Sequence, residues 1–182
     1  PGAPTSPTRT RSLTVEPSGH QAAAYLNWRL EPTAAFAADL GLRWDTESLA
    51  PDDDSHWSPR AVLMWRPRED TRLRLGWGRY YQAQAINELQ VPDGEREYQR
   101  AQRATHYVAS AEHELTPALT LRTELYRKEY DRPFARYENL LNTLVVLPEL
   151  KPDRILIAPD EAVSEGAEIS LNYEAGSVSG WL

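Results

Sequence analysis

The chain has 182 residues, a length for one domain rather than two, and no cysteine, which excludes a disulfide framework and a thiolate metal site. Its formal charge of −7 and pI near 5.2 argue against a nucleic-acid partner. Mean hydropathy is −0.62, and no apolar run, Leu144 to Leu147 included, comes near the roughly 18 residues of a membrane-spanning helix. That excludes helical spans only, because a membrane β-strand needs about ten residues with every second one apolar and averages out as polar.

Residues 1–19 open with Pro1-Gly2-Ala3-Pro4-Thr5-Ser6-Pro7, which lacks the basic and then apolar regions of a signal peptide and reads as a Pro/Thr/Ser-rich loop or linker. With the abrupt Gly180-Trp181-Leu182 ending, this predicts a piece of a longer chain. From residue 20 to 182 the sequence alternates with period two. Ala22, Ala24, Leu26, Trp28 and Leu30 alternate with Ala23, Tyr25, Asn27 and Arg29. Ala34, Phe36, Ala38, Leu40, Leu42 and Trp44 alternate with Ala35, Ala37, Asp39, Gly41, Arg43 and Asp45. Between Pro59 and Pro67, Ala61, Leu63 and Trp65 alternate with Arg60, Val62, Met64 and Arg66. Leu73, Leu75 and Trp77 alternate with Arg72, Arg74, Gly76 and Gly78. Tyr107, Ala109 and Ala111 alternate with Val108, Ser110 and Glu112. Leu119, Leu121, Thr123 and Leu125 alternate with Thr120, Arg122, Glu124 and Tyr126. Ala167, Ile169, Leu171 and Tyr173 alternate with Glu168, Ser170, Asn172 and Glu174, and Val178–Leu182 is the stub of a further strand.

The connections alternate too. Glu31-Pro32-Thr33, Pro67–Asp70, Thr116-Pro117-Ala118 and Ala175-Gly176-Ser177 are short, whereas Thr46–Trp57, Gln82–Arg103 and Glu129–Ser164 are long. Tight turns at one end and long loops at the other are the habit of outer-membrane barrels; a soluble meander or sandwich has no reason to keep them apart. Trp and Tyr near strand ends fit an aromatic girdle. The pattern therefore predicts an all-β, antiparallel, up-and-down transmembrane barrel segment of seven or eight strands. The polar parity, taken as lumen wall, carries Arg29, Arg43, Arg60, Arg66, Arg72, Arg74 and Arg122 against Asp39, Asp45, Glu112, Glu114, Glu124, Glu168 and Glu174. Such charges are expected to pair across strands, and their even balance leaves the charge of any cargo open.

Other chemistry is weakly signalled. Asp52-Asp53-Asp54 lacks the spaced oxygen ligands and turn glycine of a calcium loop and reads as a solvated acidic loop. His20, His56, His106 and His113 lack paired metal spacing, and Ser58 and Ser110 lack a nucleophile-elbow context, so no metal, cofactor or catalytic residue is assigned. Gly76-Trp77-Gly78 has no third glycine or following helix and reads as a close approach in a strand.

The strands also carry a resemblance. Gly41-Leu42-Arg43-Trp44-Asp45, then Ser58-Pro59-Arg60, then Leu73-Arg74-Leu75-Gly76-Trp77-Gly78-Arg79-Tyr80-Tyr81 resemble, in order and spacing, the barrel of TonB-dependent outer-membrane receptors. Ile86–Gln90, Arg103–Tyr107, Glu124–Lys128, Arg136–Asn139 and Gly166–Leu171 extend the likeness over about residues 20 to 182, while Gln82-Ala83-Gln84 departs from the Arg or Pro often found there. The resemblance implies a barrel of about 22 strands in the Gram-negative outer membrane, in contact with lipid, closed by further strands and plugged by a separate domain. It implies uptake of a scarce small-molecule cargo (a ferric siderophore, haem, cobalamin or an oligosaccharide) with energy relayed through TonB, and no enzyme activity. Cargo contacts are expected in the long loops and upper lumen, from Tyr80, Tyr81, Gln84, Asn87, Glu88, Tyr98, Tyr130 and Tyr137. Two rivals stand beside this reading. A complete eight-stranded barrel with a structural or adhesive role requires the first strand to pair with a full eighth. A barrel hydrolase requires a Ser/His pair at a rim.

Overall fold

The computed structural model describes residues 14–50, 54–141 and 153–182. Residues 1–13, Asp52, Asp53 and the Leu144–Leu147 run lie outside the described residues. Eight strands form one antiparallel sheet in the order β1-β2-β3-β4-β5-β6-β9-β10. They are β1 (Gln21–Thr33), β2 (Phe36–Glu47), β3 (Asp54–Arg68), β4 (Thr71–Gln82), β5 (Gln102–Thr116), β6 (Leu119–Asp131), β9 (Glu161–Ala175) and β10 (Val178–Trp181). A separate hairpin of β7 (Arg136–Asn139) and β8 (Arg154–Ile157) lies within the β6–β9 connection. Each long strand pairs with its sequence neighbour, and the connections fall as expected. Two-residue turns join β1–β2, β3–β4, β5–β6 and β9–β10 at one end, and the three longer connections lie at the other.

The sheet is open. β1 and β10 each have one neighbour and do not pair with each other, and β10 covers only the end of β9. The complete eight-stranded barrel is therefore not what this chain forms.

Strand limits differ from those read in the sequence at both ends. At the turn end β1 runs three residues further, to Thr33, β3 two, to Arg68, and β5 one, to Thr116, through register shifts between Leu30 and Thr33, Trp65 and Arg68, and Glu114 and Thr116, while β2 begins at Phe36 instead of Ala34. Two of these bulges contain a proline, Pro32 and Pro67, which has no N–H for the ladder. At the loop end β3 begins at Asp54, β5 at Gln102 and β9 at Glu161. These residues lie inside the segments expected to be loops. Beyond the apolar belt neither face of a strand is apolar, so hydrogen bonding continues while the alternation of hydrophobicity stops.

The cross-strand registers put every apolar parity on one face. Leu30, Ala38, Leu63, Leu75, Ala109, Leu125 and Ala167 form one ladder row across seven strands, and Phe36, Trp65, Leu73, Ala111, Thr123 and Ile169 form the next. No described element covers this face. Leu26 and Trp28 are each 65% exposed, Leu75 60% and Ile169 73%. The buried apolar side chains among the described residues are Ala38, Ala50, Leu89, Tyr98 and Ala101, and all but Ala38 lie in the loops. A soluble sandwich would bury its large apolar side chains between layers; an apolar sheet face this broad marks a surface made to meet lipid or another apolar partner.

The apolar belt crosses the ladder obliquely. Its outer edge lies at Trp44 and Trp57 on β2 and β3, at Trp77 and Tyr107 on β4 and β5, and at Leu125 and Ala167 on β6 and β9, where Arg127 and Glu165 follow. Its inner edge falls from Phe36 and Trp65 to Tyr173. If both edges follow the planes of a bilayer, the strands shift by about 1 to 1.5 residues each, which at about 3.3 Å rise and 4.8 Å spacing is a tilt of about 35–45°. That is the inclination a membrane barrel requires.

Candidate functional site: the charged face and the outer loops

The second face carries the polar parity. Towards the turn end it is a network of ion pairs. Arg29 reaches Asp39 across β1–β2 at 3.2 Å, and Arg72 reaches Glu112 at 2.5 Å and Glu114 at 3.3 Å across β4–β5. Arg122 pairs with Glu124 two residues along β6 at 2.8 Å. Arg74 and Glu168 share a ladder row with Glu124 through Ser110. These pairs stiffen the wall, though each exposed pair adds little stability.

Towards the loops the same face changes character. Arg43 pairs with Asp45 at 2.6 Å. Arg60 donates to the side-chain carbonyl of Asn27 at 2.6 Å and lies over Gly41, where any Cβ would collide with it. Tyr80 lies over Gly78 in the same way, and Tyr126 over Gly166. The His106 ring stands 4.7 Å from that of Tyr80 and 6.4 Å from that of Tyr130, and the Lys128 ammonium lies 5.0 Å from the centre of the Tyr126 ring.

Pro59 shapes the rim. The β3–β4 ladder stops at the Arg60/Gly78 pair, next to this proline, while the β2–β3 ladder continues through it to Glu47/Asp54. Lacking an N–H, Pro59 cannot extend the pairing towards β4. Above it, Tyr81 stacks flat on His56 with ring centres 4.2 Å apart. Strand parity alone groups Tyr81 with Trp77 on the apolar face, but it shares a cleft with Tyr25, Asn27, Ser58, Arg60 and Tyr80.

The outer loops are tied into one body by side chains. Gln90 gives its amide to the Tyr137 carbonyl at 3.2 Å and accepts the Tyr137 N–H at 2.6 Å. Gln99 does the same to Ala135, at 2.7 and 2.8 Å. Each glutamine thereby mimics a strand residue along the edge of β7. Arg154 of β8 holds Asp93 through two guanidinium nitrogens at 2.5 Å, with both side chains about 90% buried. Asp54 at the start of β3 accepts the Ala101 N–H at 2.6 Å, joining the β2–β3 connection to the same body.

The eight residues expected to contact cargo therefore separate into two groups. Tyr80 and Tyr130 lie on the charged face around His106, and Tyr81 lies at the rim. Gln84, Glu88 and Tyr98 hold loop backbone: Gln84 accepts the Gln99 N–H, Glu88 the Ala85 N–H, and the buried Tyr98 hydroxyl donates to the Ile86 carbonyl. Asn87 sits in the short 3-10 turn Ile86–Glu88 and Tyr137 in β7. His106 and Lys128 were not singled out from sequence as cargo residues. Their signal was available, because both occupy the polar parity beside tyrosines.

A bare apolar belt bounded by aromatic residues, an ionic face behind it and long loops at one end define a wall of a membrane β-barrel. Over residues 1–182 the sequence matches the TonB dependent receptor-like β-barrel family, and the chain belongs to it. Among solved structures it is similar to the siderophore receptor PirA from Acinetobacter baumannii (15% identity, TM-score 0.64, 88% of this chain and 26% of that one). It is also similar to the FrpB iron transporter from Neisseria meningitidis (16%, TM-score 0.61, 87% and 24%) and to the ferric enterobactin receptor PfeA (17%, TM-score 0.64, 87% and 25%). The chain thus spans about a quarter of the length of these receptors. At these identities the likeness carries the fold alone. No curated protein is matched.

Proposed function

We propose that the chain is part of the barrel wall and outer loops of a receptor that imports a scarce small-molecule cargo across the Gram-negative outer membrane with TonB-coupled energy. Membership of the receptor family supports this, as do structural neighbours described as a siderophore receptor, a ferric enterobactin receptor and an iron transporter. The observation that carries it is the uncovered apolar face, which fits lipid, backed by an ionic face that fits an enclosed aqueous interior. Further strands would pair with the free edges of β1 and β10, and a plug would lie against the ionic face. Ferric siderophores come first among the cargoes, with haem, cobalamin and oligosaccharides as the other classes. The reading includes no catalytic step. Tyr80, Tyr81 and Tyr130 are its cargo-facing aromatic residues, and Arg29, Asp39, Arg43, Asp45, Arg60, Arg74, Glu112, Arg122, Glu124 and Glu168 line the lumen.

The test is import by cells carrying the full-length receptor, with iron, haem, cobalamin and oligosaccharide sources supplied in turn. The reading expects accumulation of one of them that needs both the receptor and TonB. Accumulation unaffected by deleting either one would contradict it.

A further inference from the structure

We propose that the outer end of the β2–β3 hairpin is a proton-operated clasp: protonated Glu47 lets the Asp54 carboxylate hold the Ala101 N–H ahead of β5, and ionised Glu47 releases it. Glu47 and Asp54 are the last ladder pair of β2 and β3, so two carboxyl groups stand directly opposite each other on the ionic face. They lie three residues beyond the Trp44–Trp57 edge of the apolar belt, outside the membrane. Both are buried: Glu47 is 5% exposed and the Asp54 side chain 10%. Like charges opposed across a ladder destabilise it, and burial magnifies the repulsion. Either one of the two takes up a proton or the pair parts.

The surroundings decide which one carries the proton. Asp54 Oδ2 accepts the N–H of the buried Ala101 at 2.6 Å. Asp54 Oδ1 stands 2.8 Å from His56 Nε2, whose ring lies flat against Tyr81. A backbone donor and a neighbouring imidazole favour an anion at Asp54. Among the described residues Glu47 has one hydrogen-bond donor, the Gln21 amide at 3.4 Å. Burial, with the Asp54 charge, holds the Glu47 carboxyl above the usual carboxylate range, against the opposing pull of Gln21 and His56. The other charged groups lining the adjoining cleft of about 200 Å³, Arg43 and Asp45, pair with each other at 2.6 Å. Glu47 is thus the group that titrates. A carboxyl raised in the clasped form favours that form below its unclasped pKa, and this support is lost as pH rises through the raised value. Acid fastens the clasp and rising pH loosens it. The loop ahead of Ala101 is tied through Gln99 to Ala135, so the clasp joins the β2–β3 connection to the whole outer loop body. Control of cargo entry past those loops rests on the transport reading; the clasp itself does not.

The test is hydrogen exchange of the full-length receptor in detergent, read at the Ala101 amide with the intrinsic pH dependence of exchange divided out. Protection is expected to be about tenfold higher at about pH 5 than at about pH 8. Ala109, in the middle of β5, should be equally protected at both and reports that the wall is folded. E47Q, uncharged at either pH, is expected to keep the higher protection throughout and lose the pH dependence. D54N should lose the protection at Ala101 at both pH values. H56Q should retain the pH dependence, because His56 is not the group that titrates. The E47Q and H56Q results decide even where D54N fails to fold. Protection at Ala101 that is equal at the two pH values or higher at pH 8, full pH dependence in E47Q, or its loss in H56Q overturns the proposal. Failure of TonB-dependent import overturns the transport reading and leaves this measurement as it stands.

Discussion

Tyr126 on β6 lies across Gly166 on β9, its register partner, so closely that a Cβ at that glycine would overlap the phenol ring and hydroxyl. The glycine gives the ring a place on the wall, and the ring covers backbone that glycine would leave bare. Gly166→Ala must displace the ring and is expected to destabilise the full-length receptor by about 1–3 kcal/mol in urea unfolding from lipid vesicles. In a Tyr126→Ala background the same change should cost little. Additive losses from the two changes would show that the two residues are not coupled.

Asp93 and Arg154 form a clasp between two outer loops that are far apart in sequence. Both side chains are about 90% buried, and Arg154 also donates to the Tyr137 carbonyl. Asp93→Asn takes the bidentate carboxylate from a buried guanidinium, a loss of about 3–5 kcal/mol to the loop body. Hydrogen exchange should then quicken in residues 84–101 and 136–139 while β4, β5 and β6 keep their protection. Uniform quickening along those strands would mean that the loops and barrel open together.

Leu63 and Val62 are neighbours in β3 with opposite fates. Leu63 pairs with Leu75 on the bare apolar face, and Val62 stands opposite Asp39 on the ionic one. Leu63→Arg places a charge in lipid and should cost about 2–4 kcal/mol of barrel stability. Val62→Arg gains an acidic neighbour and should cost less than about 1 kcal/mol. Unfolding of the two variants in the full-length receptor measures the difference, and equal costs would contradict the assignment of faces.

The chain expressed alone leaves β1 and most of β9 without partners on one side, and its apolar face without lipid. Such edges template further pairing. It is expected to stay insoluble until detergent is added; a monodisperse β-rich monomer in plain buffer would contradict that.

The long strands were legible because lipid on one side and water on the other impose a strict period of two, as Leu73, Leu75 and Trp77 show against Arg72, Arg74 and Gly76. Above the girdle that contrast disappears, which hid the outer ends of β3, β5 and β9. The β7–β8 hairpin was hidden for another reason. It is four residues per strand and is held by Gln90, Gln99 and Asp93 from a different loop, so its stability is not local. Counting charges over a whole face obscured the ladder row Asn27–Gly41–Arg60–Gly78–His106–Lys128–Ser164, which holds no carboxylate and appears only when register is known.

The central claim is that odd positions of β3 meet lipid and even positions meet an aqueous interior. Because this chain has no cysteine, single cysteines can be placed from residue 60 to 66 of the full-length receptor and spin-labelled, any cysteine elsewhere in the receptor first being replaced. The expected result is strict alternation, with oxygen relaxing labels at 61, 63 and 65 and a water-soluble nickel chelate relaxing those at 60, 62, 64 and 66. Uniform accessibility to either reagent, or oxygen favouring the even positions, would contradict the account.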